Sequence, residues 1–215
     1  MNGNSTRNPT AAMNDFDDKA TTWDSDPVKL ARAQAVADGI RRHVPLSELT
    51  GFEFGCGTGL LSFALLPHLK HVTLADNSAG MLDVLRKKIA AAGTTNMRPL
   101  MLDLASDPLP DDRYGLVYSL MTLHHIPDTE GVLRSLYTLL DSPGYLCLAD
   151  LDSEDGSFHG PAFNGHKGFD RDELARKAAQ AGFRNVRFDT VFRMTKGDGP
   201  GQTEFPLFLM VAEKA

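Results

Sequence analysis

Glu53-Phe54-Gly55-Cys56-Gly57-Thr58-Gly59 lies between two apolar runs, Leu49–Phe54 before it and Leu60–Leu66 after it. The first run reads as a short buried strand and the second as the start of an apolar helix. Three glycines at alternate positions let the backbone turn tightly between them, with no Cβ to hold a ligand away. The amides at the start of the new helix then face whatever binds there. The spacing argues against a dinucleotide, whose pyrophosphate fingerprint wants its third glycine one residue later, where this chain has Leu60. The run also opens on an acid, Glu53, which repels a diphosphate and attracts a cation.

Working outward, two more short strands each end on an acid. His71–Ala75 runs into Asp76, 21 positions after Gly55, close to the spacing that puts a carboxylate at the end of the next strand of a nucleotide-binding βαβ unit. Met97–Leu102 runs into Asp103. Asn77 and Ser78 are better placed than Asp76 to cap the helix that follows, whose Leu82, Leu85, Ile89 and Ala92 share a face and which stops at Gly93. A fourth strand, Tyr114–Met121, leads into Thr122-Leu123-His124-His125-Ile126-Pro127-Asp128. Residues just past the carboxyl end of a central strand in an open α/β sheet face the ligand crevice. A neutral histidine there can take a proton from an acceptor.

Over Glu53, Gly55, Gly57 and Gly59 the sequence resembles the class I methyltransferases that use S-adenosylmethionine. The resemblance implies a single Rossmann-like, doubly wound domain: a seven-stranded, mostly parallel sheet ending in an antiparallel hairpin. It also implies a cofactor site made by Glu53, Gly55, Cys56, Gly57, Gly59, Asp76, Asn77, Met81, Asp103, Leu104 and Met121. In that site Glu53 serves the methionine end, Asp76 the ribose, and Asp103 with the Leu104 amide the adenine. His124 or His125 is the candidate base, and the residues do not say which. The first helices, about 15–45, become a lid with Trp23 near the methyl group; simple packing is the competing reading of Trp23. Asp26 as N-cap, Pro27 in the first turn and the stripe Leu30, Ala33, Ala37, Ile40 and Val44 mark the lid's main helix, which Pro45 ends.

Asp128–Leu140 reads as a helix, Pro143-Gly144 as a turn, and Tyr145–Ala149 as the fifth strand. A long irregular stretch follows, from Asp150 through His159 and His166 to Gly168, able to fold over the same crevice. His159 and His166 are secondary candidates for shaping or binding an acceptor. No metal is expected, because the acids of this loop are adjacent rather than convergent and no known ligand spacing recurs. Asp170 with Glu173 opens a last helix closed by Gly182. Val186–Met194 and Phe205–Ala212 are then two strands joined by the Gly-rich loop Lys196–Thr203, short enough for an antiparallel hairpin.

The chain has 215 residues, enough for one domain with a substantial core. Its 28 acidic against 22 basic residues give a net charge of −6, which offers no electrostatic footprint for nucleic acid. The two cysteines, Cys56 and Cys147, form no disulfide framework and fit a reducing compartment. No apolar run is long enough to cross a membrane, and the reading is cytoplasmic. Residues 1–14 are polar and are expected to be a disordered tail, with the domain over 15–215. The partner implied is a small-molecule methyl acceptor, on a monomer or homodimer. The competing readings are an RNA or protein methyltransferase and a non-catalytic subunit that binds S-adenosylmethionine.

Overall fold

The computed structural model describes residues 16–197 and 201–215, so the expectation of a disordered tail at 1–14 lies outside the described residues. Seven strands form one sheet: β1 (Thr50–Phe54), β2 (His71–Asp76), β3 (Met97–Met101), β4 (Tyr114–Leu120), β5 (Leu140–Leu151), β6 (Arg184–Lys196) and β7 (Thr203–Lys214). Their order is β3-β2-β1-β4-β5-β7-β6. The pairs among β1 to β5 are parallel, and β7 runs antiparallel to both β5 and β6. The terminal hairpin is therefore present, with its second strand inserted between the fifth and the sixth.

The faces are covered by helices α1 (Pro27–His43), α2 (Leu60–Leu65), α3 (Ala79–Ala92), α4 (Thr129–Leu139) and α5 (Arg171–Gln180). Each start that the sequence marks is capped as read. Asp26 accepts from the Val28 amide, Ser78 from Met81, Asp128 from Gly131 and Asp170 from Glu173. Gly93 takes the left-handed conformation that ends α3. On one face, Ala33, Val36, Ala37 and Ile40 of α1 pack with Leu61 and Leu65 of α2 and Leu82 and Leu85 of α3. On the other, Val132, Leu133 and Leu136 of α4 pack with Leu174 and Ala178 of α5 against Phe52, Val117 and Phe208.

One boundary differs from the sequence reading. The Pro143-Gly144 segment is not a turn before the fifth strand but lies within it, because β5 begins at Leu140. Leu140 is buried and pairs with Tyr114, and the ladder resumes at Leu116 with Tyr145, so residues 141–144 form a bulge. Lys214 fixes the junction by donating to the carbonyls of Tyr137 and Leu140, both at 2.8 Å.

The chain direction of the sheet positions the site. From β1 the order runs one way to β2 and β3 and the other way to β4 and β5, so the reversal falls between β1 and β4. Ligand crevices open at such a switch point, beyond the carboxyl ends of the strands.

Candidate active site

The glycine turn sits at the carboxyl end of β1, and its three glycines have different tasks. All have positive φ: +61° at Gly55, +53° at Gly57 and +81° at Gly59. A Cβ on Gly55 would lie 2.2 Å from the Thr122 side chain, and one on Gly59 would lie 2.7 Å from Leu85 Cδ1. Those two let neighbouring elements close onto the turn. A Cβ on Gly57 would meet nothing nearer than Met81 Sδ at 3.8 Å. It would stand instead in largely open space beside the turn.

Three amides of the turn itself, those of Cys56, Gly57 and Gly59, are engaged within the protein. Asp76 Oδ2 accepts from the Gly57 amide at 2.7 Å, and Asp76 Oδ1 accepts from Ser78 at 2.8 Å. The amides of Cys56 and Gly59 donate to the Ala75 and Cys56 carbonyls. Burial raises the Asp76 pKa against these hydrogen bonds, which lower it. With these amides engaged and the Asp76 carboxylate beside the turn, the lining favours hydroxyl and amino groups over a diphosphate. S-adenosylmethionine carries both.

Glu53 is buried beneath the turn, 2% exposed. Ser62 Oγ donates to its Oε2, and the same Ser62 oxygen lies 2.6 Å from the Tyr118 hydroxyl. Burial, opposed by the Ser62 hydrogen bonds, pushes the Glu53 pKa up to about 8. Asp103 follows β3, where its Oδ1 accepts from the Ala105 amide at 3.0 Å and its own amide donates to Asp107 at 2.8 Å. Cys56, Ser78 and Met81 are buried around the turn, while Asn77, exposed, and Leu104, half-buried, line its outer side. Met121 holds a positive φ of 58° at the end of β4.

Residues 16–25 lie across the turn and are latched by two acids that the sequence reading did not single out. Asp17 Oδ1 accepts from Ser78 Oγ at 2.5 Å and from the Gly80 amide at 2.8 Å. Asp24 accepts from Thr58 Oγ1 at 2.5 Å and from Lys88 at 2.6 Å, and Lys88 also donates to the Thr58 carbonyl. The Phe16 ring meets His125 edge-on at 5.5 Å and Trp23 at 6.1 Å. Trp23 is half-buried with the Lys29 ammonium 4.3 Å from its ring centre, and Phe16 is the residue of this segment whose ring meets a histidine.

The two adjacent histidines have unlike environments. His124 is fully buried; its Nδ1 lies 2.6 Å from Asp150 Oδ1, and its amide donates to Asp150 Oδ2 at 3.1 Å. Its other ring nitrogen, Nε2, lies 3.0 Å from His159 Nε2. His125 is half-buried, with its ring centre 4.2 Å from that of His124. Burial lowers the pKa of His125 to about 3 and of His159 to about 4, with His124 adding to both effects, so both rings are neutral near pH 7. Phe163 stacks on His159 at 4.0 Å and meets His125 edge-on at 5.3 Å. His166 is elsewhere: its amide donates to the His124 carbonyl, while its ring lies against Thr129, the Ile126 carbonyl and Phe169.

Residues 52–144 match the methyltransferase domain family. An uncharacterized methyltransferase of Schizosaccharomyces pombe is 32% identical over 121 residues, covering 53% of this chain and 43% of the relative. A ubiquinone biosynthesis O-methyltransferase of Marinobacter nauticus is 29% identical over 121 residues, covering 55% and 51%. The chain thus spans about half the length of the curated relatives it matches. Among solved structures, an S-adenosylmethionine-dependent methyltransferase from Aquifex aeolicus superposes with a TM-score of 0.66 at 17% identity, covering 96% of this chain and 99% of that one. That likeness is one of fold, and it extends beyond the matched segment to the hairpin strands. The glycine turn and the reversed sheet order agree with that fold, which is the class I methyltransferase fold, and residues 52–144 carry a methyltransferase domain.

Proposed function

We propose that the protein transfers a methyl group from S-adenosylmethionine to a small-molecule acceptor. The observation that carries this reading is the neighbourhood of the glycine turn and the histidine cluster. Thr122, which packs on Gly55, is followed within three residues by His124 and His125. The bound cofactor supplies an electrophilic methyl on a positively charged sulfur. In this reading Asp76 accepts from the ribose hydroxyls and Asp103 from the adenine amino group, while the buried Glu53 supports the turn from beneath rather than meeting the methionine ammonium. The lid, latched by Asp17 and Asp24, keeps water from the crevice.

In the transfer itself the acceptor's nucleophile forms a bond to the methyl carbon as the carbon–sulfur bond breaks, and the electron pair stays on sulfur. Neutral His125 and His159 are placed to take the acceptor's proton. His124, having no exposed surface, acts through His159, and Asp150 holds its ring in place. An acceptor of small size agrees with the net charge of −6 and with the name of the Marinobacter relative. Two buried free cysteines suit a reducing cytoplasm, and no helix of the described residues is long and apolar enough to cross a membrane.

The test is production of S-adenosylhomocysteine when the protein and S-adenosylmethionine are incubated with panels of phenols, amines and hydroxy acids. Turnover with a member of the panel supports the reading. Tight S-adenosylmethionine binding with turnover only on RNA or protein replaces the acceptor class, and binding without any turnover favours a non-catalytic subunit.

A further inference from the structure

We propose that His124, His125 and His159 form a binding site for one divalent transition-metal ion, of the zinc or iron kind, with Asp150 as the outer carboxylate that orients His124. No metal was expected from the sequence, because the acids near His159 and His166 are adjacent rather than convergent. The fold instead brings a different set together. One ligand nitrogen from each of the three imidazoles lies within 4.8 Å of the others.

Two features distinguish this group from histidines that merely share a surface. The first is direction. Two imidazole nitrogens bound to one tetrahedral ion at about 2.0–2.1 Å stand about 3.3 Å apart, and His124 Nε2 and His159 Nε2 face each other at 3.0 Å. The second is the backing of His124. Asp150 Oδ1 lies against Nδ1, and the tautomer protonated there turns the Nε2 lone pair toward His159; a ligating imidazole is ordinarily held by such a carboxylate. Asp150 is itself fixed by the His124 and Leu151 amides. Neutral imidazoles suit zinc, iron, nickel and copper rather than magnesium or calcium.

The surroundings fit an ion with an open coordination position. Phe16, Phe158 and Phe163 pack around the rings, while His159 is exposed. Lys196 and Arg32 bring positive charge nearby, offset by Glu154 and Asp150. Three protein ligands leave a fourth position for water or substrate. An acceptor hydroxyl bound there would lose its proton to solvent near neutral pH, and the ion rather than a ring would then prepare the nucleophile. This narrows the acceptor to an oxygen nucleophile such as a phenol or enol. The narrowing rests on the proposed methyl transfer, whereas the ion site does not.

The test is titration of chelator-stripped, full-length protein with cobalt(II), followed by visible absorption, and with zinc(II), followed by calorimetry. One ion per chain is expected, with the visible bands of a four- or five-coordinate cobalt site. His159→Ala and His125→Ala should each lose those bands, Asp150→Asn should bind about ten- to a hundredfold more weakly, and His166→Ala should bind as the unaltered protein does. His159 is exposed, so its variant stays informative even if Asp150→Asn fails to fold. Lack of stoichiometric uptake, or uptake unchanged in His125→Ala and His159→Ala, would overturn the site. S-adenosylmethionine affinity measured on the same samples separates this outcome from a failure of the cofactor reading.

Discussion

Asp76 accepts a hydrogen bond from the Gly57 amide at 2.7 Å, tying the end of one strand to the turn that leaves its neighbour. The same carboxylate holds the Ser78 amide at the start of the next helix, so a single side chain sets the floor of the groove. Asp76→Ala is expected to weaken S-adenosylmethionine binding more than tenfold, because it removes both the proposed ribose acceptor and the clamp on the turn. Calorimetric titration checks this, and unchanged affinity would refute the placement.

The glycines separate fold from binding. Gly57→Val should cost about 1–3 kcal/mol for its positive φ, leave the chain folded, and abolish cofactor binding by filling the groove. Gly55→Val should instead unfold or strongly destabilise the chain, since Thr122 occupies the space its side chain needs. Thermal denaturation of the two variants beside calorimetry distinguishes these outcomes.

The glycine turn, the three acids and the hairpin were legible in the sequence because each answers a local demand: a tight turn, a strand end, a short Gly-rich connection. The bulge in β5 was not, because Pro143 and Gly144 carry the signature of a turn and only the pairing of Leu140 with Tyr114 across the sheet overrides it. His159 could not be joined to His124 from spacing alone. Their contact depends on the path of the loop, pinned where the His166 amide reaches the His124 carbonyl. Asp150 did leave a trace. It is the penultimate residue of β5, the strand parallel to β4, and lies one residue past the Leu120–Ala149 pair, which puts it level with the residues leading to His124. Phe16 left none, since its contact with His125 is purely tertiary.

Glu53 makes stability depend on pH in a definite direction. Its folded pKa of about 8 lies above its ordinary 4.5, so the folded chain retains a proton that the unfolded chain has released between those values. The stabilising contribution is fully present below pH 4.5 and is lost as pH rises to about 8, with a slope of up to about 1.4 kcal/mol per pH unit. Denaturant titrations across this window should show that slope in the unaltered protein and a flatter profile in Glu53→Gln. Identical slopes would mean that Glu53 is ionised where it lies.

Replacing His125 and His159 together with Gln should lower turnover by about a hundred- to ten-thousand-fold, with S-adenosylmethionine affinity unchanged. Full turnover in that variant would mean that catalysis proceeds by positioning alone.

Ionic strength tests the acceptor class. For a small molecule, KM should change little between 50 and 200 mM salt, whereas a polynucleotide held by several phosphate contacts would lose about a thousandfold or more in affinity.

The most direct measurement is a crystal structure of the protein with S-adenosylhomocysteine. The ribose should lie on Asp76, the adenine at Asp103 and Leu104, the sulfur toward His125, and the ligand backbone over Gly57. An empty groove at saturating ligand, or a ligand bound away from these strand ends, would contradict the assignment of the site.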